Sequence, residues 1–167
     1  MRRAIAILML SLPLAACGFK PMYGDNATAA SPGVMDKMTT IDIRPIPDRL
    51  GQVVRNELVD ALTPQGTSAG VVYELALKVG EEREDVAIRQ NAAATRANYR
   101  MSARFELREI ATDKVVLTGT TWAETAFDIV QQDYPTVIAQ QDAQQKLAAE
   151  LAEEIKTRIA VFFDKGK

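Results

Sequence analysis

The only cysteine of the chain, Cys17, follows directly on Leu14–Ala16, which reads Leu-Ala-Ala. This order matches the bacterial lipobox, in which the cysteine thiol accepts a diacylglyceryl group as a thioether. The small side chains at positions 15 and 16 fit the cleft of the signal peptidase, and cleavage before Cys17 frees an amine for further acylation. The sequence therefore predicts covalent lipidation of Cys17. The alternative is an ordinary signal peptide followed by a cysteine by chance.

The residues before this cysteine have the pattern of a secretory signal peptide. A cationic start, Met1–Arg3, precedes the apolar run Ala4–Leu12, which contains a single serine. The uncharged stretch from 4 to 19 is shorter than the roughly 20 apolar residues that a transmembrane helix needs. We therefore predict that residues 1–16 are a signal peptide and that acyl chains hold the mature chain on a membrane. Gly18 stands where an aspartate retains lipoproteins at the inner membrane, which favours the outer membrane.

The composition excludes several classes of chemistry. The chain has 167 residues with 20 basic and 22 acidic side chains, whereas nucleic-acid-binding proteins usually carry a surplus of lysine and arginine. It has no histidine, the usual general base near neutral pH and the commonest metal ligand. A single cysteine excludes an intramolecular disulfide and a thiolate zinc site. We predict no enzymatic activity, no nucleic-acid partner, no metal site and no cofactor beyond the covalent lipid on Cys17.

An arginine row recurs at every fourth position of an alternating stretch: Arg96, Arg100, Arg104 and Arg108. On a β-strand these side chains share one face, with about 13 Å between neighbours. A guanidinium binds phosphate through two parallel hydrogen bonds, so the row is a candidate anion-binding surface. The alternative is a solvated face on which the arginines pair across strands with acidic residues. The acidic candidates are Glu74, Glu106 and Glu124.

Hydrophobic periodicity predicts the elements that hold these residues, in the order β-α-β-β-β-α. Alternating or apolar runs predict four strands: Met38–Ile46, Val71–Val79, Arg96–Arg108 and Val115–Phe127. Stripes at helical spacing predict two helices: Asp48–Leu62, capped by Asp48, and Tyr134–Phe163. The simplest closed core is α+β, a four-stranded, mostly antiparallel sheet with two helices packed on one face.

The domain limits follow from the same pattern. Glycine, proline and small polar residues are frequent in residues 17–37, which we interpret as a lipidated tether without regular structure. Residues 38–167 form the predicted domain. Two details stay open, because Glu81–Asp85 fits either a polar strand extension or a turn, and the register of the last hairpin is not fixed. In the fourth strand Val115 and Leu117 predict that odd-numbered residues face the core, whereas Trp122 predicts that even-numbered residues do. A β-bulge between them would reconcile the two patterns.

A distinctive pattern continues past the lipidation site. Residues 17–24 read Cys-Gly-Phe-Lys-Pro-Met-Tyr-Gly. This resembles the LptE family of lipopolysaccharide-assembly lipoproteins in its alphaproteobacterial form, which commonly begins Cys-Gly-Phe-x-Pro-x-Tyr-Gly. The last helix is also similar to the family, with Asp142, Leu151, Ile155 and Arg158 in a run of alanine and glutamine.

The resemblance implies a function and partners. LptE-like proteins lie inside the lumen of the LptD β-barrel in the outer membrane, plug that barrel, assist its assembly and take part in delivering lipopolysaccharide to the cell surface. They are not catalysts. We therefore expect a lipid-anchored outer-membrane protein whose domain lies in the barrel lumen or faces the periplasm. The arginine row would then contact lipid A phosphates or acidic walls of the barrel. The alternative is a lipid-anchored adaptor or binding subunit of another cell-envelope complex.

Overall fold

The computed structural model describes most of the chain after residue 32. The described residues are 33–64, 66, 70–86, 96–129 and 133–166. Their elements are α1 (Val34–Met38), β1 (Ile41–Ile43), α2 (Asp48–Leu62), β2 (Tyr73–Val86), β3 (Arg96–Glu109), β4 (Lys114–Asp128) and α3 (Asp133–Lys165). Cys17 and the motif of residues 17–24 lie outside the described residues.

The strands in this part of the chain form one four-stranded sheet in the order β1-β2-β3-β4. β1 pairs with β2 in parallel, and the remaining neighbours are antiparallel. A parallel pair needs a crossover connection, which α2 supplies. The predicted α+β class with a mostly antiparallel four-stranded sheet is therefore confirmed.

Strict alternation in β3 gives the sheet one covered face and one bare face. The odd-numbered residues of β3, from Ala97 to Leu107, are all buried, whereas the residues that alternate with them are exposed or half-buried. Helices α2 and α3 close the inner face with fully buried side chains: Val54, Leu58, Leu62, Leu147, Leu151, Ile155 and Ile159. We call the opposite side of β2, β3 and β4, which no described element covers, the outer face.

The first strand is shorter than the sequence predicts. It spans Ile41–Ile43 rather than Met38–Ile46. Pro45 has no N–H group and therefore cannot extend the ladder in one direction. In the other direction the chain forms the short helix α1 up to Met38, where the sequence predicts irregular structure through residue 37. The Asp36 carboxylate accepts a hydrogen bond from the N–H of Gly33 at 3.0 Å and stabilises this turn.

Helix α2 spans Asp48–Leu62 as predicted, but Asp48 is not its cap. Pro47 holds the N-cap position, without a side-chain hydrogen bond to the first turn. Asp48 has a φ of 68°, outside the backbone range in which a capping side chain reaches the first free N–H groups. The prediction of an Asp48 cap is therefore wrong.

A β-bulge settles the register of the last hairpin. Leu107 lies opposite Leu117 and Arg108 lies opposite Val115, which leaves Val116 as the extra residue. The bulge turns Val115 to the outer face and Leu117 to the inner face, so the conflict in the sequence pattern is resolved as a bulge would resolve it. Downstream of the bulge Trp122 lies on the outer face and is 59% exposed.

Strand β4 forms one edge of the sheet, and α3 reaches over it at one point. The Arg158 side chain donates from Nη1 to the carbonyl oxygen of Thr120 at 2.8 Å, and from Nε to the Glu154 carboxylate at 2.8 Å. The bond to Thr120 shows that this carbonyl points away from β3. Arg158 therefore occupies a backbone acceptor on the open edge.

Candidate functional site

The outer face brings the predicted arginine row together with side chains of both neighbouring strands. β2 and β4 pair with β3 along nearly its whole length, so each arginine has one direct neighbour on either side where the ladder continues. Directly opposed side chains have Cβ atoms about 4.5–5.5 Å apart, which is within ion-pair reach for long side chains. Whether an arginine has an ion-pair partner across the sheet therefore depends on the side chains directly opposite it.

Three of the four arginines have an acidic partner. Arg100 bonds Glu124 across β3 and β4, with Nη2 2.9 Å from Oε2, and this hydrogen bond raises the pKa of the guanidinium. Arg108 Nη1 lies 2.9 Å from Oδ1 of Asp113 in the hairpin turn. Arg96 makes a longer contact of 3.9 Å to Asp128. These pairs are solvent-exposed and each contributes little to stability.

Arg104 differs from the other three because its neighbours are not acidic. It lies opposite Lys78 on β2 and Thr120 on β4. Both cations are exposed, and neither has an ion pair among the described residues. Two like charges directly opposite each other on a sheet repel one another. An anion bound between Lys78 and Arg104 would relieve that repulsion.

The surroundings of this cation pair suit an amphiphilic anion. Ser102 and Thr120 add hydroxyl groups on the same face, and Trp122 lies opposite Ser102. The guanidinium carbon of Arg100 lies 5.2 Å from the centroid of the Trp122 ring, a cation–π geometry that orients the indole. We call Lys78, Ser102, Arg104, Thr120 and Trp122 the cationic patch. It combines two cations without an ion pair in the described ranges, hydroxyl donors and an exposed aromatic surface.

A second polar group of residues, on the inner face, fixes the far end of the sheet to α3. The hydroxyl of Tyr99 donates to the Glu81 carboxylate, and Gln144 donates from Nε2 to Tyr99 at 3.0 Å and to Glu81 at 3.2 Å. Arg83 donates to the Gln140 side chain at 3.0 Å and pairs with Asp85 at 2.7 Å. The polar run Glu81–Asp85 is thus a strand extension that contacts the helix rather than a turn.

Burial, and then the hydrogen bond to Glu81, raise the pKa of Tyr99 to about 12. Because the folded chain holds this phenol neutral above its ordinary pKa of 10, its contribution to stability is fully present below pH 10 and is lost between pH 10 and 12. We expect Tyr99→Phe to lower the free energy of unfolding at pH 7 by about 0.5–1.5 kcal/mol. The variant should also lose stability less steeply than the native chain from pH 10 upward. Urea denaturation at pH 7 and at several pH values above 10 measures the free energy of unfolding of both proteins.

Tyr134→Phe is the matched control, because Tyr134 is 77% exposed. It should leave both the stability at pH 7 and the alkaline slope unchanged. An identical alkaline slope in Tyr99→Phe and the native chain would contradict the assignment of that slope to Tyr99.

Other kinds of site find no support in the part of the chain that the structure describes. No group of three or more His, Cys, Asp or Glu side chains in the described ranges is arranged to hold a metal ion. No helix of those ranges is long and apolar enough to cross a bilayer.

Only Arg104 of the cationic patch was singled out as a site residue by the sequence; Ser102 and Thr120 were not, and neither were Lys78 and Trp122. Lys78 lies in the second strand and Trp122 in the fourth, and each reads there as an ordinary surface or rim residue. Only the register of β2 and β4 against β3 brings them beside Arg104. If the pairing register of β2 and β4 against β3 were known, these residues could be identified from the sequence. The turn sequences alone do not determine that register.

Comparison with known proteins identifies relatives across most of the chain. The profile of the family LptE, described as lipopolysaccharide-assembly, matches residues 38–159. The crystal structure of a lipoprotein from Caulobacter crescentus is 30% identical in sequence and superimposes with a TM-score of 0.69. That match covers 81% of this chain and 98% of the Caulobacter chain. No curated protein sequence matches the chain significantly.

More distant structures share the fold alone. A minor lipoprotein from Acinetobacter baumannii is 18% identical with a TM-score of 0.55, and the match covers 72% of this chain and 91% of that one. The rare lipoprotein B from Shewanella oneidensis is 12% identical with a TM-score of 0.55, and the match covers 75% of this chain and 95% of that one.

Proposed function

Because the chain belongs to the LptE family of lipopolysaccharide-assembly lipoproteins, we propose that it plugs and helps assemble an LptD-type β-barrel of the outer membrane. In that position it takes part in delivering lipopolysaccharide to the cell surface. The observation that carries this proposal is the family match over residues 38–159, together with a sheet whose outer face is free to contact a partner. The function is one of binding and positioning, not of catalysis.

The anchor in this proposal is the lipid on Cys17. Residues 1–16 are removed, residues 17–37 link the lipid to the domain, and residues 38–167 form the part that enters the barrel lumen or faces the periplasm. Two or three acyl chains hold a protein on a membrane almost permanently, because each buried methylene contributes about 0.8 kcal/mol. The covalent lipid is the only cofactor that this function requires.

The cationic patch supports a direct role in handling lipopolysaccharide. Lipid A carries phosphate groups on a sugar backbone, and Lys78 and Arg104 offer two cations that form no ion pair within the part of the chain that the structure describes. The paired arginines, Arg96, Arg100 and Arg108, are less suited because an acidic side chain lies within 3.9 Å of each and would repel a phosphate. We therefore assign the phosphate contact to Arg104 with Lys78, and not to the whole arginine row.

The barrel partner can be tested by affinity purification. The chain, carrying a C-terminal tag, is purified from detergent-solubilised outer membranes, and the bound proteins are identified by mass spectrometry. Recovery of one large β-barrel in near-equal amount supports the proposal. Recovery of inner-membrane or peptidoglycan-linked proteins instead, or of no barrel, would show that the chain is an adaptor of another envelope complex.

The lipopolysaccharide contact is tested by reversing both free charges. We expect Lys78→Glu combined with Arg104→Glu to weaken binding of fluorescent lipopolysaccharide at least about tenfold, because two charge-assisted contacts become repulsive. Binding to the purified protein is measured by fluorescence anisotropy at fixed salt, since the contacts are ionic.

A second double variant, Lys114→Glu with Lys146→Glu, changes the net charge equally at exposed positions outside the patch. It should retain near-native binding. Equal weakening by both double variants would mean that only the net charge matters. Native lipopolysaccharide binding combined with loss of the co-purified barrel would instead assign the patch to an acidic barrel wall.

A further inference from the structure

An apolar groove lies between the start of β4 and the last turns of α3. Its floor is formed by Leu117, Val161 and Phe162, and its rim by Thr157, Arg158 and Lys165. The groove encloses about 550 Å³, which is ample for one or two aromatic side chains. Neither the cationic patch nor the polar contacts of Tyr99 include any of these residues.

The N-terminal chain enters the domain at the same end of α3. Helix α1 packs against α3, and the ammonium nitrogen of Lys37 lies 5.8 Å from the centroid of the Phe163 ring. The Phe163 ring lies 5.3 Å from that of Phe162, which lines the groove. Gly33, where the described chain begins, precedes Lys37 by one helical turn. The chain before Gly33 therefore starts close to the groove.

That preceding chain contains two aromatic residues that the chemistry of lipidation does not use. Acyl transfer and cleavage at a lipobox act on Leu14–Cys17, yet Phe19 and Tyr23 follow with Pro21 between them. Proline favours an extended backbone at the residue before it. In an extended segment positions 19, 21 and 23 point to the same side. One side of the segment thus presents two aromatic rings.

The segment is long enough to reach the groove. Tyr23 stands ten residues before Gly33, and an extended chain of that length spans about 33 Å. The contact of Lys37 with the Phe163 ring is 5.8 Å long and that between the rings of Phe163 and Phe162 is 5.3 Å, so both together are much shorter than this span. The linking residues 24–32 therefore need not be fully extended.

We propose that the segment Phe19–Tyr23 binds in the groove between β4 and α3, with its aromatic side chains against Val161 and Phe162. Its consequence for the membrane rests on the proposed lipidation of Cys17. The acyl anchor, two residues before Phe19, then lies beside the C-terminal end of α3. This end of the domain faces the bilayer. The free linker between the lipid and the domain is then much shorter than residues 17–37.

Disulfide trapping tests the contact in the full lipoprotein. Tyr23→Cys is combined with Val161→Cys, and the detergent-purified protein is oxidised and examined by thiol labelling and non-reducing electrophoresis. The matched partner is Asp164→Cys, because Asp164 is exposed at the same end of α3 and does not line the groove. We expect at least about fivefold more intramolecular disulfide with position 161 than with 164, as a docked segment raises the effective concentration.

Equal disulfide yields at positions 161 and 164 would overturn the proposal. A disulfide that forms only between two chains would also overturn it, because the segment of a second copy would then occupy the groove. Single-cysteine variants reveal any pairing with Cys17. The protein is separated from any co-purified barrel before oxidation, so the result does not depend on whether the barrel partner is found.

Hydrogen exchange gives a second readout that needs no introduced cysteine. Phe19→Ser combined with Tyr23→Ser should speed amide exchange in the last turn of α3 several-fold. Lys20→Ser combined with Met22→Ser, on the other side of an extended segment, should leave that exchange unchanged. Unchanged exchange in the first double variant would also overturn the proposal.

Discussion

Cys17→Ala should abolish incorporation of labelled palmitate and remove the protein from the outer-membrane fraction. The physical reason is that the thiol is the only atom that can form the thioether, and the chain has no second cysteine to replace it. Without acyl chains, the domain keeps none of the roughly 0.8 kcal/mol per methylene that holds a lipoprotein in a bilayer. The product is an uncleaved precursor or a soluble periplasmic form. Metabolic labelling and membrane fractionation measure both effects.

Ser11→Ala is a suitable control, because it changes the apolar run of the signal peptide without touching the lipobox. It should label and fractionate as the native protein does. If Cys17→Ala still fractionates with the outer membrane and takes up as much palmitate as the native chain, Cys17 is not the lipidation site.

Phe105→Ala should lower the free energy of unfolding by about 3–5 kcal/mol, the largest stability loss that we expect from one substitution. Phe105 is fully buried at the centre of β3, between Leu77 and Gly119 on the neighbouring strands. Removing the ring leaves a cavity in the middle of the core, which surrounding side chains fill only in part. Thermal and urea denaturation measure the loss. Trp122→Ala removes a larger ring from the outer face, where it is 59% exposed, and should cost far less.

Gly119 provides an internal test of the same packing. A Cβ atom at Gly119 would lie 2.5 Å from Cζ of Phe105, so Gly119→Ala overpacks the native core and should cost about 1–3 kcal/mol. In the Phe105→Ala background the ring is absent, and alanine should instead recover about the 0.5–1 kcal/mol that glycine costs in a strand. Additive losses in the double variant would contradict this account of the contact.

The sequence predicts the fold best where one hydrophobic period is long and unbroken. In β3 a slip by one residue would expose every apolar side chain from Ala97 to Leu107, so the alternation leaves a single facing. The stripe of α3 specifies its buried face in the same way. β1 is predicted less well, because the short pattern around Ile41 and Ile43 does not show where the ladder must stop. The bulge at Val116 could be suspected from a conflict of facing, but its position depends on the pairing with Leu107 and Arg108.

The candidate site is only partly predictable for a related reason. The arginine row can be read from the sequence because all four members belong to one strand. Which of them carries a free charge depends on the opposing residues of two other strands. Arg100 meets Glu124, whereas Arg104 meets Lys78. Register between strands is a long-range property that no local spacing encodes, so the sequence predicts a uniform row where the structure has one unneutralised position.

The bond from Arg158 to the Thr120 carbonyl has a consequence for the protein before it reaches any partner. In this fold the long strand β4 has a neighbouring strand on one side only, and a flat open edge pairs readily with the same edge of another copy. Arg158 places a charged side chain on that edge and occupies one of its acceptors at 2.8 Å. The helix thereby interrupts the edge at which two copies would otherwise pair. The helix that completes the core thus also hinders self-pairing at one edge of the sheet.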